Sequence, residues 1–450
     1  MKNIVEYIKE QYADSSIQEG KIIEPKITPQ TKEIYNWLEK VYGIDSSIMH
    51  RVEVDAKSHT VSCSDRVKVQ DKSITQLMPP GWSWGKTEGF SCSYCKKLKN
   101  LVGAPEVVAD SIHGQASFSC SGCEKLKNLV GAPKAVDKDF SCSDCTSLVS
   151  LKGAPKQISG SFNCGGCSSL KDLTGAPKVI GELLYCVGCD NLTSLKGLGT
   201  AESVDCSDCE SLTSLDCGNA KVEEFEFDGC PLENLIGLPN TITKINCDGW
   251  ENLKSLEGAP DSLKEISCCD CPSLETLKGC PSVMEELKCE NCDSLTTLEG
   301  APKKVTGWFS CSGCENLKSL EGAPEEVGRR FECNYCHSLV DLKGSPKTVE
   351  WDFNCRGCSS LKTLKGSPEV VNMNFDCSGC ELLETLEGMS KKVGGMVICE
   401  KCTSLVSLKG IPKDIEGINC DKCRKLKSLD PLPKTFKGRL IVPKRLQKKG

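Results

Sequence analysis

Aromatic residues make up only 5% of this 450-residue chain, and it holds just four histidines. With 38% hydrophobic residues, the composition is lean for one large globular core and suits an architecture that buries a narrow stripe many times over. No apolar run approaches the ~18 residues of a membrane span. The histidines, His50, His59, His113 and His337, are scattered, and no serine–histidine–acid pattern or glycine-rich phosphate loop is present, so no familiar catalytic class is indicated. An excess of one charge is also lacking. The 56 basic and 62 acidic side chains are interspersed and leave a net charge of −6, which does not favour nucleic acid as a partner. The opening stretch has neither the long apolar segment nor the small-residue cleavage site of a secretory signal. Together with 34 cysteines, this predicts a reducing, cytoplasmic setting in which the thiols stay free.

Cysteine is what the chain has in abundance, and its spacing is regular. Fourteen pairs of the form C-x-x-C recur, beginning with Cys92 and Cys95. The first cysteines step by 28 residues once, from Cys92 to Cys120, and then by 20 to 22 as far as Cys420. Phe227 stands in the first slot of the seventh unit and Trp250 in the second slot of the eighth. The unit reads F-x-C-x-x-C-x-x-L-x-x-L-x-G-x-P-x-x-V. Its alternating opening predicts a short strand with one buried face, and the Gly-x-Pro step predicts a turn. About seven side chains point inward per unit. At ~1.5–3 kcal/mol each they cannot offset ~1–2 kcal/mol of backbone entropy for each of some twenty residues, so a single unit cannot fold and stacking is obligatory.

The frame F-x-C-x-x-C-x-x-L-x-x-L resembles the leucine-rich repeat, in particular the bacterial and bacteriophage type with Cys-containing repeats of ~22 residues that close on Gly-Ala-Pro. Phe309 and Cys311 match the two strand positions, Cys314 the Asn/Cys position, and Leu317 and Leu320 the leucines that follow. The resemblance covers residues 90–442. It implies a mostly-β solenoid of 16–17 turns with short parallel strands on a concave face. The Gly-x-Pro step departs from relatives that place a helix on the outer side, so short turns are expected there.

The cysteines have two readings. Two adjacent C-x-x-C pairs have the ligand count of a zinc site, and Cys311, Cys314, Cys333, Cys336, Cys355 and Cys358 are the candidates. Alternatively each cysteine stacks on its equivalents as a small apolar filler. Phe227 and Trp250 bind no metal, yet the repeat continues on both sides of them. Cys280 and Ser345 also replace the alanine of Gly-Ala-Pro. Packing is therefore the expectation, with a structural ladder that includes Cys311, Cys314, Cys333, Cys336, Phe227 and Trp250, and with no cofactor.

Between the inward positions lie small polar residues. Tyr94, Tyr335 and Arg356 stand out among them, as do Asp208, Asp228 and Asp248 with Asp205 and Asp270 nearby, and these form the candidate binding face. Residues 28–89 are expected to cap the first turn, with a helix over 28–43 and short strands over 47–70. Residues 443–450 read as a solvated basic tail. Residues 1–27 form an N-terminal extension. Its start, MKNIVEYIKE, is similar to capsid-targeting segments of tailed bacteriophages, and Ile17–Gly20 is similar to prohead protease sites. The function expected is a non-enzymatic scaffold that binds another protein. A virion structural protein and a zinc-binding scaffold are the alternatives.

Overall fold

The computed structural model describes residues 29–45, 47–109, 116–432 and 436–447. The chain starts with helix α1 (Pro29–Trp37), where proline suits a first turn that needs neither its missing N–H nor a free φ. One wide helical turn, Leu38–Tyr42, follows and ends at Gly43 in the left-handed conformation, whose N–H returns to Glu39 O. Ile34, Leu38 and Val41 share the buried face. The Tyr42 hydroxyl and Trp37 Nε1 both donate to Leu77 O, at 2.5 and 3.0 Å, and the Tyr42 ring meets Trp84 edge-on at 5.1 Å. Thr28, the first residue of the helix expected over 28–43, lies outside the described residues, as do the extension at 1–27 with its bacteriophage-like motifs and His113.

Strands β1 (Val52–Asp55) and β2 (Thr60–Lys68) form an antiparallel hairpin, and β2 then pairs in parallel with β3 (Ser83–Ser91). Of the short strands expected over 47–70, β1 has four residues but β2 runs for nine. The length of β3 lets it start two ladders. Lys86 and Thr87 pair with Val107 and Val108, while Phe90 and Ser91 pair with Phe118 and Ser119.

The chain divides into two compact units, Met1–Phe225 and Glu226–Gly450. In the first, one ladder continues through Ala135–Val136, Gln157–Ile158 and Val179–Ile180. The other continues through Phe140–Ser141, Phe162–Asn163, Leu183–Tyr185 and Ser203–Asp205. In the second, a ten-stranded parallel ladder runs from Lys244–Asn246 to Arg439–Ile441, and a six-stranded one from Val283–Met284 to Lys392–Val393. The strand that opens each unit recurs in about seventeen turns among the described residues, which makes the fold a mostly-β parallel solenoid, as the leucine-rich-repeat resemblance implies. Among the described residues no α-helix follows α1, in keeping with the short outer turns expected.

Register is strict because equivalent side chains stack. Phe309 pairs with Phe331 and Phe331 with Phe353, their rings stacked at 5.1 and 5.4 Å. Phe309, Cys311, Cys314, Leu317, Leu320 and Val327 are all buried in one turn. Gly322 has a φ of 92°, and a Cβ there would lie 2.5 Å from Leu298 O, so this turn has room for glycine alone. Exposed Lys–Glu pairs join neighbouring turns along the outer side, among them Lys343–Glu321 and Lys347–Glu325, both at 2.6 Å. Each contributes at most ~1 kcal/mol. In the basic stretch from residue 443, Arg445 is exposed, and its Nη2 donates to Cys423 O and Leu426 O, both at 2.7 Å.

Candidate functional site

The C-x-x-C pairs face inward. Cys311, Cys314, Cys333, Cys336, Cys355 and Cys358 are all fully buried. From Cys123 onward, the second thiol of a pair donates to the carbonyl of the first-slot residue of the unit one turn back. Cys314 Sγ lies 3.1 Å from Cys289 O, Cys336 Sγ 3.3 Å from Cys311 O, and Cys358 Sγ 3.1 Å from Cys333 O. The same bond recurs from Cys123 to Cys423. Cysteine therefore does two things here. Its sulfur fills space and its S–H satisfies a buried carbonyl. Burial pushes the thiols of Cys247, Cys268 and Cys289 well above the usual range, which keeps them protonated. Among the described residues no group of three or more histidine, cysteine or acidic side chains is arranged to hold a metal ion. Phe227 and Trp250 are also buried and meet edge-on at 5.8 Å.

The residues after each first cysteine form the exposed face. The position just before the second cysteine is left-handed in turn after turn, as at Gly122, Gly166, Gly313, Gly357 and Gly379. Asp144, Asp208, Asp270 and Asn291 occupy it elsewhere, and short polar residues tolerate this conformation. Tyr94 and Tyr335 occupy it too, with φ of 64° and 58°. A bulky side chain there is strained by ~1–2 kcal/mol. Both rings remain exposed, 60% and 49%, and each lies over a glycine in the next turn, Gly122 and Gly357.

Of the expected aspartates, Asp208 belongs to the first unit and Asp228 and Asp248 to the second, and all three are exposed. Asp248 Oδ1 accepts from Ser267 Oγ and Cys269 N, both at 2.7 Å, and Asp270 Oδ1 accepts from Asn291 Nδ2 at 2.9 Å. These carboxylates tie one turn to the next. Some of the small polar face residues are not surface at all. Ser310 is fully buried, donating to Glu290 Oε1 at 2.6 Å.

Around Tyr335 the face deepens into a cleft of about 500 Å3, lined by Glu290, Glu315, Glu332, Asn334 and His337 among others. The Tyr335 N–H donates to Arg356 O at 2.7 Å, and the Arg356 N–H donates to Asn334 Oδ1 at 3.0 Å. His337 stands edge-on to Tyr335 at 6.4 Å, and its Nδ1 is 3.2 Å from Ser359 Oγ. Glu332 accepts from Asn354 Nδ2 at 3.0 Å. Among the described residues none of the three glutamates has a basic partner. The sequence singled out Tyr335 and Arg356 but not His337 or the glutamates. The signal was available, since Glu290, Ser312 and Asn334 recur at the step of the repeat and must share one face.

No protein-family model matches the chain, and no curated protein matches it. The solved structures it is similar to include leucine-rich repeat proteins. A leucine-rich repeat protein from Bacteroides ovatus is 14% identical over 72% of this chain and 92% of its own, with a TM-score of 0.42. YopM from Yersinia enterocolitica is 14% identical over 99% of both chains, with a TM-score of 0.22. The functional domain of InlJ from Listeria monocytogenes, which includes a cysteine ladder, is 15% identical over 66% of this chain and 69% of its own, with a TM-score of 0.18.

Proposed function

We propose that this solenoid is a non-enzymatic scaffold that binds another protein through the exposed face of its ten-stranded ladder, with the Tyr335 cleft as the anchor. The observation that carries this reading is Tyr335 itself. A strained backbone position that neighbouring turns fill with glycine or asparagine here holds an exposed aromatic ring. Strain of this kind persists where the side chain has a use, and tyrosine is among the residues that dominate binding interfaces. Glu290, Glu315 and Glu332, which have no basic partner among the described residues, favour a partner that brings lysine or arginine to the ring. The S–H donors of the core call for reduced thiols, which supports a cytoplasmic setting.

Substituting a photo-crosslinking amino acid at Tyr335 in the native host tests this. One discrete protein adduct is expected there and none from the same substitution at outer-side Lys343. Tyr335→Gly is expected to raise stability by roughly 1 kcal/mol through relief of strain, while competition with the crosslinked partner is lost. Equal, diffuse labelling from both positions would overturn the reading.

A further inference from the structure

The unit beginning at Glu226 has a second exposed feature, where the chain leaves the six-stranded ladder and enters the ten-stranded one. The two positions before the strand phenylalanine hold Gly307-Trp308, then Arg329-Arg330, then Trp351-Asp352 in successive turns. Trp308, Arg329, Arg330 and Trp351 line a groove of about 370 Å3. Trp351 is 47% exposed, and the Arg329 guanidinium lies over its ring, 5.4 Å from the centroid. Trp308 is half-buried under Lys288 Nζ, 4.8 Å from its centroid, and among the described residues its Nε1 has no hydrogen-bond partner.

The charges of the groove are compensated except at one point. Glu265 pairs with Lys244 at 2.9 Å, Glu285 with Lys264 at 3.3 Å, and Glu286 with Lys288. Asp352 Oδ2 meets Arg330 Nε at 3.3 Å, and its Oδ1 accepts from Asn374 N and Nδ2. Arg329 alone has no carboxylate partner among the described residues. Its stacking on Trp351 occupies the guanidinium face and fixes its orientation, while the in-plane N–H fork stays open.

We infer that this groove docks a protein segment that presents a carboxylate beside an aromatic or apolar side chain. The carboxylate is received by the Arg329 fork, a bidentate match. The apolar group lies against the two indoles, and their Trp and Arg composition is that of an interface hot spot. A nucleic-acid strand would also stack on indoles, but its repeated phosphates would run along Glu265, Glu285 and Glu286, so one uncompensated cation suits a single carboxylate better. The groove is separate from the Tyr335 cleft, and the inference does not rest on that cleft's function.

The test is to titrate the full chain with two blocked peptides, acetyl-Gly-Phe-Glu-Asp-Gly-amide and acetyl-Gly-Phe-Lys-Lys-Gly-amide, following indole fluorescence. The acidic peptide is expected to bind at least ten-fold more tightly. Arg329→Gln and Trp351→Ala should each weaken it ten-fold or more, Arg329→Lys less, and Tyr335→Gly not at all. Both groove positions are exposed, and urea unfolding checks that the variants are folded. Equal affinity for the two peptides, no loss in Arg329→Gln, or tighter binding of an oligouridylate would overturn the inference. So would Trp351-dependent self-association in sedimentation, because the occupant would then be a second copy of the chain.

Discussion

The two cysteines of one pair are expected to respond differently to the same truncation, although both are fully buried. Cys333 Sγ lies 3.4 Å from Asn354 O, but that carbonyl also accepts the Cys333 N–H at 2.8 Å. Cys336 Sγ donates to Cys311 O at 3.3 Å, and a carbonyl deprived of that donor is left buried. Alanine at either site removes one sulfur, about 1 kcal/mol on the scale of a buried methylene. At Cys336 the stranded carbonyl adds roughly 1–3 kcal/mol. Cys336→Ala is therefore expected to be less stable than Cys333→Ala by about 1–3 kcal/mol. Cys336→Ser, which restores a donor, recovers part of the loss, whereas serine at Cys333 recovers nothing. Urea unfolding of the reduced full chain reads this locally, because the indoles of Trp308 and Trp351 sit in the turns on either side. Repeat arrays depart from two-state unfolding, so amide hydrogen exchange around Cys311 provides a second readout. Equal losses in the two alanine variants, with no rescue by serine, would refute the donor role and leave cysteine as filler alone.

Two further expectations follow from the same core. The thiols of Cys247, Cys268 and Cys289 hold their protons to a higher pH than an unfolded chain does, because burial disfavours the thiolate. Their contribution to stability is complete below the unfolded value near ~8.5 and is lost as pH rises toward the folded values, at about 1.4 kcal/mol per thiol per pH unit. The urea midpoint should hold steady from pH 6.5 to 8 and fall steeply above that, and a flat profile to pH 10 would contradict the assignment. Trp250→Ala should cost about 3–5 kcal/mol as a buried large-to-small change, and Trp250→Asp more through an unpaired buried charge, whereas Trp351→Ala at the surface should stay within about 0.5 kcal/mol. Calorimetric scans of the three variants decide this.

Much of the fold was legible because its inward slots repeat. Phe309, Cys311, Leu317 and Leu320 identify a stripe in the sequence, and that stripe is the core. The left-handed position before the second cysteine was hidden, since glycine, aspartate, asparagine, lysine and tyrosine share it and only the backbone reveals the strain at Tyr94 and Tyr335. The second ladder of two-residue strands, such as Lys304–Val305, was too short for any alternation to announce it. The Trp308, Arg329 and Trp351 groove was missed for a different reason. Its members lie 21 or 22 residues apart in variable positions, so nothing local links them until the turns are stacked. Arg445 likewise looks like one more basic residue of a tail until its bonds to the carbonyls of Cys423 and Leu426 are in view.

The bond from each second cysteine to the turn behind it also has a genetic consequence. Deleting residues 311–332 would bring Cys336 up against Cys289 O, the acceptor that Cys314 serves now, and would restack Phe353 on Phe309 and Val349 on Val305. A deletion of half that length would set leucine against cysteine slots and strand every carbonyl at the joint. Gains and losses of whole turns are thus the small steps for such a gene, and partial ones the large. Meanwhile the side chains of the exposed face enter none of these internal matches. Unequal recombination between repeats can lengthen or shorten the surface while point changes recolour it, and the two proceed almost independently.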